Sequence, residues 1–283
     1  MSLGPRLGAH MSIAGGPASA FARGRSVDCQ TMQVFARSPN RWASPPLTDE
    51  QACAYRAEAA VGDIWPVVAH GSYLINLASP EDDLWMRSRH ALADELDRCL
   101  RLGIETYVLH PGSHRGSGAE LGLDRVRRAL DAELATRAGI TVALETTAGQ
   151  GDVLGRSLSE LAWVLEHAEC GPSLGVCVDT AHVLAAGYDC RTPETYDRFW
   201  REVETTVGVT RVRVVHLNDS KADLGQGRDR HEQIGDGFLG LTPFELLVND
   251  AQLRHIPMLL ETPKGRDLVE DRRNLKLLQS LIR

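Results

Sequence analysis

Eight short β-rich runs recur along this 283-residue chain, about one every 35 residues, and segments with legible helix starts and stops lie between them. The runs fall at residues 6–12, 29–36, 64–71, 106–110, 140–145, 174–180, 211–217 and 257–262. Several are almost continuously apolar, as in Thr141-Val142-Ala143-Leu144, which is the pattern of parallel strands covered on both faces. A strand, its crossover helix and the return to the next strand take about 30 residues or more. Eight such units use up the chain, and no Pro/Gly/Ser-rich linker divides it. The economical reading is an α/β fold, a single (β/α)8 TIM barrel spanning residues 1–283.

The helix punctuation supports this. Thr48 with Gln51, Ser157 with Glu160, and Thr242-Pro243 with Glu245 are capping-box patterns. Ser79-Pro80-Glu81-Asp82 and Thr192-Pro193-Glu194 read as further N-caps with acids in the first turn. Gly62, Gly103 and Gly139 stand where a left-handed helix end is wanted. Between residues 82 and 103, the apolar residues Leu92, Leu96, Cys99 and Leu100 fall on one helical face. With 24% charged and 43% hydrophobic residues, the chain is neither disordered nor fibrous in composition. Its longest apolar runs, such as 64–69, fall far short of the ~18 residues of a membrane span. The first residues carry no apolar signal core, so a cytoplasmic location is expected and a membrane partner is not. Residues 1–3 read as a vector remnant. The six cysteines form no C-x-x-C pair and are expected to be reduced thiols.

The chemistry lies at the strand ends. His70, His110, Glu145, Asp179, His216 and Glu261 close the third to eighth runs, again about one βα unit apart. All strand C-termini of a parallel barrel open on one face, where active sites are built, so six residues distant in sequence should converge there. Each is of a type that binds zinc or a similar divalent ion. His182 follows Asp179 by three, and Asp229 and His231 sit two apart in a Gly-rich loop. Five histidines and four carboxylates are too many for one ion and suit three. Clustered ions suit phosphodiester hydrolysis, because two held about 3.5–4 Å apart stabilise both the attacking and the leaving oxygen. No Walker-type phosphate loop and no G-x-S-x-G elbow is present. His10 and His114 are expected on the same face, as supporting or substrate groups. His90, His167 and His255 read as solvated.

The motifs that carry these residues resemble, essentially end to end, the endonuclease IV family of apurinic/apyrimidinic endonucleases. They are Gly8-Ala9-His10-Met11-Ser12, Ser72-Tyr73-Leu74-Ile75-Asn76-Leu77-Ala78, His110-Pro111-Gly112-Ser113-His114, Glu145-Thr146-Thr147-Ala148-Gly149-Gln150-Gly151, Gly175-Val176-Cys177-Val178-Asp179-Thr180-Ala181-His182, His216-Leu217-Asn218-Asp219-Ser220-Lys221, Asp229-Arg230-His231 and Leu260-Glu261-Thr262. The resemblance implies a TIM barrel with three Zn2+, with Mn2+ possible at one position. His70, His110 and Glu145 would hold one ion. Asp179, His216 and Glu261, with Glu145 bridging, would hold a second, and His182, Asp229 and His231 the third. It implies hydrolysis of the phosphodiester 5′ to an abasic site in double-stranded DNA, leaving a 3′-hydroxyl and a 5′-deoxyribose phosphate, within base excision repair. Glu145 would be the catalytic residue that positions or deprotonates the nucleophile. Tyr73 and Leu74 match the family's wedge into the minor groove. In the loop after the second strand, Asn40 stands where the family often has an inserting arginine, so the contact is assigned to the adjacent Arg41, with Arg230 on the rim. Thr146 stands where the family often has asparagine. A monomer acting at the nucleoid is implied.

A formal net charge of −7 is unusual for a DNA binder. Three divalent ions would bring it near neutrality, and Arg37, Arg41, Lys221, Arg228 and Arg230 are expected to form a basic rim. The main rival is a sugar isomerase or epimerase on the same barrel, which resembles this chain in using the pattern of Glu145, Asp179, His216 and Glu261. Such an enzyme has no need of His70, His110, His182, Asp229 and His231, nor of a Tyr-Leu wedge. A metal or DNA binder without catalysis would require a missing ligand, and none is missing at the matched positions.

Overall fold

The structure, a computed structural model, describes residues 4–283; the residues read as a vector remnant, 1–3, lie outside them. Ten strands occur among the described residues: β1 (Leu7–His10), β2 (Thr31–Phe35), β3 (Val67–His70), β4 (Thr106–Leu109), β5 (Thr141–Glu145), β6 (Leu174–Asp179), β7 (Val212–His216), β8 (Asp219–Ser220), β9 (His231–Glu232) and β10 (Met258–Leu260). Eight of them close a barrel in the order β1-β10-β7-β6-β5-β4-β3-β2, every pair parallel. Each barrel strand falls within a run expected from the sequence. The hairpin of β8 and β9 was not expected.

Side-chain alternation explains where the site sits. Val68, Val108, Ala143, Cys177, Val214 and Leu259 form a fully buried apolar layer inside the barrel. Each lies two residues before one of His70, His110, Glu145, Asp179, His216 and Glu261. Because the strand repeat is two residues, each polar group points the same way as its apolar partner, one layer nearer the C-terminal mouth. The polar layer thus stands on a dry plug. The larger apolar cluster, outside this layer, packs the strands against the surrounding helices. Gly8 lets β1 and β2 approach: a Cβ there would lie 1.8 Å from the carbonyl oxygen of Thr31.

Local signals hold in part. Thr48 and Gln51 form the reciprocal box, and Thr192 forms one with Thr195. Ser157 caps the amide of Glu160, but the Glu160 carboxylate accepts from Gly155 and Arg156 instead of closing a box. Two N-cap assignments are corrected. Ser79 accepts from Glu81 N–H in a turn before the helix Asp82–Leu102, so Glu81 is the N-cap. Thr242 is the first residue of the helix Thr242–Asn249 and caps nothing, because Leu241 occupies the N-cap. Leu92, Leu96 and Cys99 are buried, whereas Leu100 is exposed, lying one residue beyond the stripe. Gly62, Gly103 and Gly139 all have positive φ. All six cysteines are free. Among the described residues, no helix is long and apolar enough to cross a membrane.

Candidate metal centre

The nine donor residues named from the sequence meet at the C-terminal mouth of the barrel. Glu145, at the end of β5, has no exposed surface and lies at the centre. Its Oε2 lies 3.0 Å from His70 Nε2 and 2.9 Å from His110 Nε2. Its Oε1 lies 2.9 Å from His216 Nδ1 and 3.5 Å from His182 Nδ1. His216 Nδ1 is also 3.3 Å from Glu261 Oε2 and 3.8 Å from Asp179 Oδ2. His70, His110 and Glu145 form one compact donor group, and Glu145, Asp179, His216 and Glu261 a second, with Glu145 common to both.

His182, Asp229 and His231 come together as a third group, and Asp179 also forms a compact donor set with His182 and His231. Asp229, on the partly exposed loop between β8 and β9, brings Oδ1 to 3.2 Å from His182 Nε2 and 3.4 Å from His231 Nε2. Asp179 therefore stands between the second and third groups, its Oδ2 3.6 Å from His231 Nε2. It reaches both because it ends β6 and also caps the helix Thr180–Ala186, accepting from His182 N–H at 2.8 Å.

Hydrogen bonds behind the cluster fix which nitrogen of each ring is free. His70 Nδ1 donates to the carbonyl of Gly71 at 2.9 Å, and His182 Nδ1 to that of Thr146 at 2.8 Å. His231 Nδ1 faces the carbonyl of Glu261 at 3.3 Å. His216 is turned the other way, with Nε2 donating to Gln33 Oε1 at 2.9 Å and Nδ1 facing the carboxylates. A ring nitrogen that donates leaves its partner with a lone pair. In the neutral form of each of the four rings, that lone pair points into the carboxylate ring. His182 Nε2 and His231 Nε2 are buried without a hydrogen-bond partner, although Asp229 is close. Buried ring nitrogens that converge on a carboxylate without bonding to it are what divalent-ion sites require.

Sequence reasoning missed several supporting groups. The Gln33 amide donates to Glu261 Oε1 at 2.6 Å and approaches His10 Nδ1 at 3.0 Å. Asn218 donates to Asp179 Oδ2 at 2.6 Å and accepts from Glu261 N–H at 2.8 Å, tying two carboxylate residues together. Thr146, noted as a departure, accepts from Asp179 N–H through its hydroxyl at 2.9 Å, and its carbonyl receives His182. A polar residue at an inward strand position was the available signal for Gln33.

The electrostatics of the bare cluster follow from its packing. Burial pushes Glu145 up, but the neighbouring His110 and His216 outweigh it and hold the carboxyl well below its ordinary range. Burial pushes Asp229 up, but His182 and His231 bring it down to about 2. Burial pulls His182 down, and Asp179, Asp229 and Glu145 outweigh that, leaving it well above its ordinary value. His216 is raised in the same way, burial being outweighed by Cys177, Glu261 and Glu145. Without an ion, the surrounding carboxylates favour the protonated forms of His182 and His216. An entering ion must displace those protons, so affinity should rise with pH and binding should release protons. Calorimetric Zn2+ titrations at pH 7, in buffers of different ionisation enthalpy, are expected to show release of more than one proton per chain; none released would contradict this charge arrangement.

Around the cluster, a cavity of about 710 Å3 is lined by His10, Phe35, Tyr73, Lys221, Arg230 and Lys264, among others. A neighbouring cavity of about 560 Å3 is lined by Trp42, Tyr73, Leu74 and Arg115, among others. Tyr73 is 70% exposed, its ring edge-on to Phe35 at 5.4 Å. Leu74 is half-buried beside it, and Arg41, Lys221, Arg228 and Arg230 are exposed. Arg37, expected on the rim, is instead buried and ion-paired with Glu95 at 2.8 Å. His114 Nδ1 accepts from Gly118 N–H at 3.2 Å, which braces its own loop. His90, His167 and His255 are exposed, as expected.

Three comparisons bear on this geometry. The sequence profile of a family described as "Xylose isomerase-like TIM barrel" matches residues 21–281. A protein named "Probable endonuclease 4" from Chloroflexus aggregans is 51% identical over 281 residues, covering 99% of this chain and 98% of the relative. One of the same name from Geobacter sulfurreducens is 43% identical, covering 98% and 94%. The crystal structure of endonuclease IV from Thermus thermophilus superposes with a TM-score of 0.87 at 36% identity, covering 98% of both chains. A D-tagatose 3-epimerase-like protein matches with a TM-score of 0.72 at 17% identity, which speaks to the fold alone.

Proposed function

The chain belongs to the endonuclease IV family, nucleases of DNA repair, and on that premise we propose that it incises double-stranded DNA at abasic sites. It hydrolyses the phosphodiester on the 5′ side of the lesion and leaves a 3′-hydroxyl and a 5′-deoxyribose phosphate. One observation carries the reading above all: nine donors meet at the barrel mouth, with ring nitrogens freed toward a shared carboxylate. The four donors of a sugar-isomerase pattern would need neither His70 and His110 nor the group around His182 and His231.

We assign three zinc ions to the donors, with manganese as an alternative at one position. His70, His110 and Glu145 hold the first. Glu145, Asp179, His216 and Glu261 hold the second. His182, Asp229 and His231 hold the third, with Asp179 at their side. When bound, such ions neutralise phosphate charge and acidify water. The chain's own residues do the rest. Glu145, buried and ionised, orients the attacking water from its place between the first two donor groups. Gln33, Thr146 and Asn218 keep the ligands in one orientation. Lys221 and Arg230, on the cavity wall, and Arg41 on the rim meet the phosphate backbone. Tyr73 and Leu74 enter the minor groove, where the missing base makes unstacking least costly. The whole chain is one working domain, acting as a monomer in the cytoplasm at the nucleoid.

The test is a 5′-labelled duplex carrying one tetrahydrofuran abasic site, which cannot undergo β-elimination. Metal-loaded protein is expected to cut on the 5′ side and leave an extendable 3′-hydroxyl, and His110→Ala is expected not to cut. Absence of incision by the loaded wild type would overturn the reading. The wedge is tested separately. Tyr73→Ala should weaken abasic-duplex binding by roughly tenfold, the scale of losing one aromatic contact to nucleic acid, without a change in melting temperature, because the ring is exposed. Unchanged affinity in fluorescence anisotropy would remove Tyr73 from the interface.

A further inference from the structure

We propose that the buried pair Arg37–Glu95 is a positioning device that holds the two loops facing DNA, residues 37–42 and 72–74, in one mutual register. The inference rests on the proposed function, in which Arg41, Tyr73 and Leu74 meet DNA, and adds what sets their relative placement. Glu95 belongs to neither loop. It lies on the helix Asp82–Leu102 and is 1% exposed.

Each oxygen of its carboxylate serves one loop. Oε1 takes Arg37 Nε at 2.8 Å. Arg37 Nη1 then donates to the carbonyls of Arg41 at 2.6 Å and Trp42 at 3.1 Å, curling the first loop back on its own start. Oε2 accepts from the backbone N–H of Ser72 at 3.1 Å and from Tyr107 O–H at 2.6 Å. Ser72 closes the circuit. Its hydroxyl donates to the Pro39 carbonyl in the first loop at 2.5 Å and accepts from Leu74 N–H in the second at 3.3 Å. Displacing either loop therefore breaks bonds that also restrain the other. The same helix extends the pattern, with Arg98 donating to the Pro45 carbonyl and Arg101 to that of Leu47. The segment between β2 and the next helix, Asp49–Ala59, has no regular structure of its own, and its carbonyls are held by guanidinium groups.

The pair is poorly explained as a stabilising element. Arg37 Nη2 is buried with no hydrogen-bond partner. A buried unsatisfied donor is costly, and a buried ion pair commonly stabilises no better than apolar packing of the same volume. What such a pair does supply is a single allowed geometry. Neither residue can reach substrate, so both act through the loops.

The test is the double substitution Arg37→Met/Glu95→Leu, which removes the pair without stranding a buried charge. Melting temperature, ion content, hydrogen exchange of both loops and steady-state incision of the tetrahydrofuran duplex are compared with wild type. Folding and ion content are expected to hold. Exchange should quicken in residues 37–42 and 72–74 together, KM should rise at least about tenfold and kcat should change less than about threefold. Ser72→Ala, which cuts only the link between the loops, should move the same quantities in the same direction and keeps the proposal testable if the double variant fails to fold. Arg37→Lys, with the charge but not the planar fork, should restore part of the KM. Wild-type KM with unchanged exchange, or quickening in one loop alone, would overturn the coupling. If the wild type neither binds nor cuts the duplex, the functional reading fails while loop exchange still decides whether the pair couples the loops.

Discussion

Glu145→Gln is expected to lower abasic-site incision by roughly 10^4-fold, the scale on which enzymes lose rate when a central catalytic group is removed. Glu145 contributes to two donor groups at once, and its two oxygens lie within 3.5 Å of four histidine nitrogens. Glutamine matches its size but replaces one carboxylate oxygen with an NH2 group, which cannot ligate an ion. The negative charge shared by the two donor groups is lost as well. The fold should survive, because the apolar layer beneath is untouched. Single-turnover incision with a parallel ion count separates the two losses. Activity above a tenth of wild type would contradict the central place given to this carboxylate.

Stripping the ions should cost stability as well as activity. Two buried carboxylates, Glu145 and Asp179, and two fully buried or nearly buried rings, His216 and His182, sit in one ring of donors, so ions bind the folded chain and not the unfolded one. At a free concentration about 1,000 times the dissociation constant, each site adds about 4 kcal/mol by mass action. For a chain of this size, 1 kcal/mol moves the melting temperature by about 2–4 °C, so one site should give a rise of about 10 °C. Differential scanning calorimetry of chelated and Zn2+-reloaded protein reads this directly. A melting temperature indifferent to metal would mean that the cluster is satisfied by its own protons and holds no ion tightly.

The barrel was legible because strand alternation is written into the chain. Val68 and His70, Val108 and His110, Ala143 and Glu145, Cys177 and Asp179, Val214 and His216, and Leu259 and Glu261 each set an apolar residue two places before a donor. That spacing turns a linear pattern into one plug and one ring. The hairpin of β8 and β9 was not legible: two residues on each side carry no periodicity, and β8 is anchored by Asp219 accepting from the amides of Gly235, Gly237 and Leu239. Arg37 was misread for a related reason. It follows a strand end, where a charge is ordinarily solvated, and its burial depends on Glu95, 58 residues away. Gln33 and Asn218 were passed over because a buried amide declares its role only through what it touches, and their partners come from other strands. Local rules located the donors, whereas the groups that orient them are set by tertiary contact.

The most direct measurement is anomalous diffraction at the zinc edge from crystals of the reloaded protein. Three peaks are expected inside the barrel mouth: one beside His70 and His110, one beside His216 and Glu261, and one beside His182, Asp229 and His231, with Glu145 between the first two. A single peak held by Glu145, Asp179, His216 and Glu261 alone, or no peak among these residues, would contradict the three-ion nuclease site and favour the sugar-isomerase arrangement or none.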